Sequence, residues 1–256
     1  MSARRIMSRF DTIAFDADDT LWHNERLYVD AQTRFRQLLA HYHSPEWIDE
    51  RLYQTEMRNL DHFGYGIKAF ALSMIETAVE LTEGRISGAD IQTIINFARE
   101  MLAADVELLE HVAETIPSLA AQYPLMLITK GDLRDQEVKI ARSGLGEHFR
   151  QIEIVSDKNQ ANYAGLLQRS GVAPERFLMV GNSLRSDILP VLALGASAVY
   201  IPHRLTWQHE VVDSPPPEQP GYYQLAHVGL LPELLVRLES SGYQGLSEGF
   251  SGKNTP

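Results

Sequence analysis

The chain has 256 residues, of which 44% are hydrophobic and 22% are charged, and it contains no cysteine. A chain of this length can bury a core without cross-links. The absence of cysteine excludes disulfides, cysteine nucleophiles and thiolate metal sites, so a catalytic metal needs oxygen or histidine ligands. The net charge of −11 argues against nucleic-acid binding. The sequence has neither an apolar signal core nor a segment near the roughly 20 apolar residues of a membrane helix, and we expect a cytoplasmic protein of undetermined oligomeric state.

Five short apolar runs predict β-strands. The first four end in polar or glycine-containing turns, and helical patterns separate or follow the runs in the second half of the chain. This alternation predicts parallel strands joined by right-handed crossovers, which is a doubly wound α/β fold. In such a fold functional groups gather at the carboxyl ends of the strands. The runs are residues 12–15, 125–128, 152–155, 177–180 and 198–201, and the helical patterns are residues 133–143, 160–170, 186–194 and 230–238.

The segment between the first two predicted strands differs from the rest of the chain. It contains no convincing strand and has four stretches with apolar residues at helical spacing, residues 27–42, 45–62, 66–83 and 87–104. These patterns are amphipathic, and we expect a small helical bundle beside the sheet. We therefore assign residues 1–21 and 106–240 to the α/β domain and residues 22–105 to a smaller all-helical domain. Residues 241–256 are rich in glycine and serine and are expected to form a flexible tail.

Three carboxylates follow the first predicted strand, at Asp16, Asp18 and Asp19. Like charges this close repel each other, and a bound divalent cation would remove the repulsion. A solvated acidic turn is the alternative. If Asp16 and Asp18 face the same site, one can attack phosphorus as a nucleophile. The other can protonate the leaving oxygen and later activate water.

The segment FDADDTL at residues 15–21 resembles the first motif of the haloacid dehalogenase superfamily. LMLIT at residues 125–129 resembles the second motif, which ends in a hydroxyl that binds the phosphoryl group, and Lys158 resembles the lysine of the third. VGNSLRSD at residues 180–187 resembles the fourth motif, whose acidic residues complete the magnesium site. All four occur in the family's order. The resemblance implies a magnesium-dependent phosphatase that acts on a small phosphorylated metabolite, with residues 22–105 as the cap that closes over the site.

The resemblance also implies roles for individual residues. Asp16 is expected to be the nucleophile, and Asp18 the general acid and base. The expected catalytic residues are thus Asp16, Asp18, Thr129 and Lys158; the expected magnesium site comprises Asp16, Asp18, Asn182 and Asp187; and the expected substrate contacts are Thr129, Lys130, Gly131, Lys158, His23 and Asn24.

Two positions depart from the family pattern. Asn182 stands where the family usually has aspartate, and a neutral carbonyl oxygen there predicts weaker magnesium affinity. Lys130 stands where the family often has asparagine, and it could add positive charge to the site or pair with Asp132 at the surface.

Other interpretations of the same residues stay open. Taken singly, Thr129 could be a turn residue, Lys158 a surface lysine and Asp187 a helix-capping residue. Asp18 argues against a dehalogenase, which needs no general acid for a halide leaving group. A phosphomutase or phosphotransferase of the same superfamily would share the four motifs. The neutral Asn182 also leaves open a catalytically silent binding protein on this scaffold.

Overall fold

Parallel strands form the centre of the molecule. The computed structural model describes residues 8–213, 215 and 218–247. Within these residues the strands are β1 (Thr12–Phe15), β2 (Leu125–Lys130), β3 (Gln151–Val155), β4 (Phe177–Gly181), β5 (Ser197–Tyr200) and β6 (Tyr222–Gln224). They form one sheet in the order β3-β2-β1-β4-β5-β6, and every neighbouring pair is parallel. The predicted α/β fold is confirmed, and β6 is an additional edge strand that is too short for its sequence pattern to predict.

Helices connect the strands. They are α1 (Glu25–Leu39), α2 (Pro45–Phe63), α3 (Ile67–Leu81), α4 (Gly88–Ala103), α5 (Val112–Ala120), α6 (Leu133–Ser143), α7 (Gln160–Ser170), α8 (Leu189–Leu192) and α9 (Leu231–Ser247). Helix α5 is absent from the predictions, and Pro117 lies inside it. The predicted helix at residues 186–194 is wrong in its first part, where Leu184–Ile188 form a π-type turn. This turn is wide because the amides of Asp187 and Ile188 both donate to the carbonyl of Ser183.

Helices cover both faces of the sheet. Successive side chains of a buried strand point to opposite faces, so both faces need this cover. Ile13 and Phe15 of β1 point to the face that packs against α5 and α9. Ala14, between them, points to the opposite face, which packs against α7 and α8. The two faces therefore have separate hydrophobic cores, and the carboxyl ends of the central strands stay open for functional groups.

Helices α1 to α4 pack around a hydrophobic core of their own, and we refer to them as the cap. Serine side chains begin two of its helices: Ser44 accepts a hydrogen bond from Trp47 N, and Ser87 accepts one from Asp90 N. Two chain segments connect the cap to the sheet domain. A hydrogen bond from Leu109 N to Leu21 O, at 2.9 Å, joins these segments. The cap therefore follows β1 directly and lies over its carboxyl end.

The last described helix, α9, is longer than its prediction. It runs from Leu231 to Ser247 and enters the segment predicted as a tail. Residues 248–256 of that tail, and residues 1–7 of the predicted α/β domain, lie outside the described residues. Among the described helices, none combines the length and the apolar character needed to cross a bilayer. The cytoplasmic location stays a prediction.

Candidate active site

Asp16 lies at the carboxyl end of β1, which pairs with β2 on one side and β4 on the other. Its side chain is buried. Oδ1 accepts a hydrogen bond from Lys158 Nζ, and Oδ2 accepts one from Thr20 Oγ1 at 3.0 Å. Burial raises the pKa of Asp16 to about 7, and the positive charge of Lys158 opposes this rise. The two oxygens of Asp16 thus have different environments, with a cation beside one and a hydroxyl beside the other.

Lys158 follows β3 and joins two carboxylates at the edge of the sheet. Its Nζ contacts Asp16 and lies 2.8 Å from Asp187 Oδ1. The residue is only 4% exposed. Burial disfavours its charge, but Asp16 and Asp187 outweigh burial and raise the pKa of Lys158 above its ordinary value. Lys158 is therefore a charged, buried residue and not the surface lysine that remained an alternative.

Asp187 reaches Lys158 because residue 181 is a glycine. The π-type turn brings Asp187 back over the end of β4, where its Oδ2 accepts a hydrogen bond from Ser183 N at 3.0 Å. A Cβ atom at Gly181 would lie 2.3 Å from Asp187 Oδ2, which is closer than side chains approach one another. Glycine at this position is therefore a requirement of the site.

Four hydrogen bonds hold the Asp18 carboxylate. Trp22 Nε1 donates to Oδ1 at 2.7 Å, and Gln136 Nε2 donates to Oδ2 at 2.8 Å. Lys139 Nζ contacts both oxygens, at 2.8 and 2.7 Å. Burial raises the pKa of Asp18, but Lys139 and the other donors outweigh burial and hold the pKa below its ordinary value. A Cβ atom at Gly131 would lie 3.1 Å from Gln136 Nε2, so this glycine leaves room for one of the donors.

The third carboxylate of the turn, Asp19, fixes the start of the cap. Its side chain accepts the backbone N–H of Asn24 at 2.9 Å and that of Glu25 at 2.9 Å. These are unpaired amides at the beginning of α1, which a carboxylate stabilises. Asn24 also accepts a hydrogen bond at its Oδ1 from Lys139 at 3.2 Å. The cap is thereby tied to the same turn that carries Asp16 and Asp18.

Oxygens of Asp16, Asp18 and Asn182 converge at the end of the sheet. When the Asn182 amide oxygen points toward β1, it lies 3.2 Å from Asp16 Oδ2 and 3.3 Å from the backbone oxygen of Asp18. In the other orientation the amide nitrogen donates to the same two oxygens. Magnesium binds octahedrally at about 2.1 Å, which separates neighbouring ligand oxygens by about 3 Å. The first orientation therefore fits a magnesium ion.

The donor set combines three kinds of oxygen. Among the described residues, no three side chains of histidine, cysteine, aspartate or glutamate form a metal-binding group. The converging oxygens here come instead from a carboxylate, an amide and a backbone carbonyl. Asp187 lies next to this set, with its two oxygens engaged by Lys158 and Ser183.

Lys130 lies at the end of β2 under a loop that follows β5. Its Nζ forms an ion pair with Glu210 and donates to Ser186 Oγ at 2.9 Å. The same ammonium lies 4.1 Å from the centre of the Tyr65 ring, which belongs to the cap. The burial of Glu210 raises its pKa, but Lys130 outweighs burial and lowers the pKa to about 2. The alternative pairing of Lys130 with Asp132 is wrong, because Asp132 pairs with Lys68 at 2.8 Å.

A cavity of ≈ 170 Å³ lies between the cap and the carboxyl ends of the strands. All the residues predicted as catalytic or metal-binding line it. Thr129 is 1% exposed, and its hydroxyl has no hydrogen-bond partner among the described residues. Asn24 and Lys130, two of the predicted substrate contacts, also line the cavity, whereas His23 and Gly131 do not.

The sequence model of the haloacid dehalogenase-like hydrolases matches residues 10–195, which include all of these strand ends. The chain belongs to this family. A solved haloacid dehalogenase-like family hydrolase from Xanthomonas campestris is 40% identical to it, with a TM-score of 0.83 over 93% of this chain and 96% of that one. The predicted membership of the haloacid dehalogenase superfamily is confirmed.

Two curated relatives have named activities. The 5-amino-6-(5-phospho-D-ribitylamino)uracil phosphatase YigB of Escherichia coli K12 is 24% identical over 210 residues, which are 77% of this chain and 85% of that protein. The glyceraldehyde 3-phosphate phosphatase of Methanothermobacter thermautotrophicus is 33% identical over 90 residues, which are 33% of this chain and 39% of that protein. Both are phosphatases. They confirm the predicted enzyme class, a haloacid dehalogenase-like phosphatase, and leave the substrate open.

The structure of this haloacid dehalogenase-like hydrolase also places residues in the site that its motifs do not predict. Gln136 and Lys139 lie one helical turn apart on α6, shortly after the second motif, so helical spacing could have indicated them. Glu210 ends a short 3-10 helix (Gln208–Glu210) 80 residues from Lys130, and no sequence signal points to it. Glu25 and Glu56 of the cap line the cavity as well.

Proposed function

We propose that this hydrolase is a magnesium-dependent phosphatase, which cleaves a small phosphomonoester through a covalent aspartyl-phosphate on Asp16. The observation that supports this most directly is the ion-paired set of Asp16, Lys158 and Asp187, with the Asp18 carboxylate on the adjoining turn. Phosphoryl transfer depends on positioning and on neutralisation of charge, and this arrangement provides both.

In the first step an oxygen of Asp16 attacks phosphorus in line with the leaving alcohol. The bond from phosphorus to Asp16 forms while the bond from phosphorus to the alcohol oxygen breaks. The Thr129 hydroxyl, which is without a partner among the described residues, donates to a phosphoryl oxygen, and Lys158 offsets the negative charge. Asp18 gives a proton to the departing alcohol oxygen.

Asp18 must therefore take up a proton before this step, although Lys139 favours its charged form. A phosphomonoester dianion beside Asp18 raises the pKa of the carboxyl, because like charges repel. Substrate binding and Lys139 thus act on Asp18 in opposite directions. Once the alcohol has left with the proton, Lys139 again favours the carboxylate.

In the second step Asp18 accepts a proton from water as the water oxygen attacks phosphorus. The bond from phosphorus to Asp16 breaks, the Asp16 carboxylate is regenerated and inorganic phosphate leaves. Asp16 Oδ2, the backbone oxygen of Asp18 and Asn182 Oδ1 are suited to hold magnesium, whose charge would neutralise that of the phosphoryl group and Asp16.

The test is release of inorganic phosphate from p-nitrophenyl phosphate, with magnesium and with excess chelator. We expect release only with magnesium, and acid quenching of the working enzyme should recover phosphate bound to protein. Asp16→Asn should abolish both signals, because an amide is not a competent nucleophile. Asp105→Asn, an exposed aspartate outside the cavity, is the control and should retain them. Full turnover by Asp16→Asn, or transfer of the phosphoryl group only to an added alcohol, would refute the proposal.

A further inference from the structure

The lysines that line the cavity are unevenly distributed between the two domains. Among the described residues that line it there are three lysines and eight carboxylates, and neither arginine nor histidine. The lysines are Lys130, Lys139 and Lys158, and the carboxylates are Asp16, Asp18, Asp19, Glu25, Glu56, Asp135, Asp187 and Glu210. All three lysines belong to the sheet domain. Among the described residues the cap contributes no cation to the lining, and its acidic residues there are Glu25 and Glu56.

None of the three lysines is free to bind a second anion. Lys158 contacts Asp16, Lys139 contacts Asp18, and Lys130 contacts Glu210. Lys158 acts at the phosphate end of the cavity, and Lys139 orients Asp18, the proposed acid and base. An anionic group on the alcohol part of a substrate would therefore find no free cation among the described residues that line the cavity.

Two carboxylates of the cap face the cavity without a partner. Glu25 begins α1 and Glu56 lies in α2. In the described part of the chain, neither side chain receives a hydrogen bond or contacts a cation, although both line the cavity. Burial raises the pKa of each carboxyl to about 8, and Asp19 and Glu56 add to the effect at Glu25. These carboxyls have polar atoms that no described residue satisfies, so a ligand group that pairs with them would be bound favourably.

A buried amide provides a separate acceptor in the same part of the cavity. Asn59 is only 7% exposed. Its Nδ2 donates to Ser73 Oγ at 3.2 Å and to Glu76 Oε2 at 2.7 Å, and the carboxylate fixes which end of the amide carries the nitrogen. The Oδ1 atom accepts no hydrogen bond from the described residues, and Asn59 lines the cavity. This oxygen is therefore available to accept a hydrogen bond from a bound molecule.

We propose that the cap end of the cavity binds the alcohol part of a phosphomonoester through an amino group, which Glu25, Glu56 and Asn59 accept, and that it disfavours esters with a second anionic group. The inference rests on the proposed phosphatase function and names its substrate class. An ammonium group offers three donors and a positive charge, which matches two carboxylates and one amide oxygen. A hydroxyl offers one donor and no charge, and a carboxylate offers no donor and carries a negative charge.

Two series of esters test this proposal. The first comprises 2-aminoethyl phosphate, 2-hydroxyethyl phosphate and phosphoglycolate, and the second comprises glucosamine 6-phosphate, glucose 6-phosphate and 6-phosphogluconate. Within at least one series we expect kcat/KM to fall from amine to hydroxyl to carboxylate, with at least about a tenfold difference between the first and last. p-Nitrophenyl phosphate, which has no such group, reports the basal reaction.

Charge-neutral variants separate the pocket from the phosphate end. In the double variant Glu25→Gln and Glu56→Gln we expect the ratio of kcat/KM between amine and carboxylate to fall at least about fivefold, because the ionic part of the preference is lost. Glu46→Gln, an exposed residue in the first turn of α2, should leave the ratio unchanged. Circular dichroism and thermal melting confirm that each variant is folded.

The outcomes distinguish this inference from the proposed function. If no ester releases phosphate with magnesium, p-nitrophenyl phosphate included, the proposed function fails and the inference fails with it. If p-nitrophenyl phosphate is hydrolysed but the carboxylates react as fast as the amines in both series, only the inference is overturned. An amine preference that survives in the double variant overturns the assignment to Glu25 and Glu56.

Discussion

Lys139 on helix α6 forms an ion pair with both carboxylate oxygens of Asp18, at 2.8 and 2.7 Å. The lysine also donates to Asn24 Oδ1, at the start of the cap. It therefore connects the proposed acid and base with the segment that joins the cap to the sheet. This connection gives Lys139 a defined effect on the two proposed steps.

Replacing Lys139 with methionine removes the cation that lowers the pKa of Asp18. Burial, which raises this pKa, then has the larger effect. A protonated Asp18 cannot accept a proton from water, so the second step should slow. We expect kcat to fall by at least about tenfold and the phosphorylated enzyme to accumulate at steady state. Acid quenching during turnover measures the phosphorylated fraction.

Two further variants serve as controls for Lys139. Lys139→Arg keeps the positive charge and should retain much of kcat. Lys68→Met removes an exposed lysine that pairs with Asp132 outside the cavity, and it should not increase the phosphorylated fraction. An unchanged kcat in Lys139→Met would contradict the proposed role of this ion pair.

A methyl group at residue 181 is expected to displace Asp187. The added Cβ would lie 2.3 to 2.6 Å from atoms of the Asp187 side chain. We expect Gly181→Ala to lower kcat/KM by about 100-fold or more, since small displacements at a site of phosphoryl transfer are costly. Melting temperature should also fall, because overpacking of a buried site costs about 1–3 kcal/mol.

Gly88→Ala is the matched control for Gly181→Ala. A Cβ atom at Gly88 meets nothing within 4 Å, and its backbone conformation suits any residue. Both the rate and the melting temperature should stay near those of the unchanged protein. Equal activity in the two glycine variants would show that Asp187 does not need this close approach.

The parts of the fold that depend on local pattern could be predicted from the sequence. The strand at residues 12–15 and the helices at residues 133–143 and 160–170 were predicted with the observed bounds. Their apolar residues repeat with the period of the element and end at clear turn or cap residues. Strand β6 has three residues and α5 contains a proline, so neither shows a long enough pattern.

The residues of the site, like the elements of the fold, could be predicted only in part. The motifs place Asp16, Lys158 and Asp187 at strand ends, and parallel strands bring those ends together. The partners of Asp18 and Lys130 depend instead on how α6 and the loop after β5 pack, which is a tertiary property. The pocket residues of the cap, such as Glu56, lie on amphipathic helices. Helical spacing alone does not show which polar residue of such a helix faces a cavity and which faces solvent.

Asn182→Asp is expected to tighten magnesium binding. In the orientation that suits a cation, the amide oxygen lies 3.2 Å from Asp16 Oδ2, so a carboxylate at this position adds negative charge to the proposed cation site. We expect the magnesium concentration for half-maximal activity to fall by about tenfold, because affinity follows the charge of the ligands. Without magnesium the same carboxylate repels Asp16, and the melting temperature should be lower than in the unchanged protein.

The thermal measurement is independent of turnover. Magnesium should raise the melting temperature of Asn182→Asp by more than it raises that of the unchanged protein, because the ion relieves the added repulsion. Calcium and sodium at the same ionic strength control for general salt effects. A magnesium response that is identical in the two proteins would place the cation elsewhere.

Glu56 is expected to make stability depend on pH between about 4.5 and about 8. The ordinary pKa of a glutamate in the unfolded chain is near 4.5, and burial raises the pKa of Glu56 to about 8 in the folded protein. Between these values the folded state holds a proton that the unfolded state has lost. Stability therefore falls as pH rises through this window.

The variant Glu56→Gln tests this dependence. Glutamine has no proton to lose in this range, so the melting temperature of the variant should exceed that of the unchanged protein by more at pH 8.5 than at pH 5. The difference should be at least about 2 °C. Glu46→Gln, on the exposed side of the same helix, should show no such trend. If the two variants follow the same pH profile, Glu56 is not held in the environment that the cavity provides here.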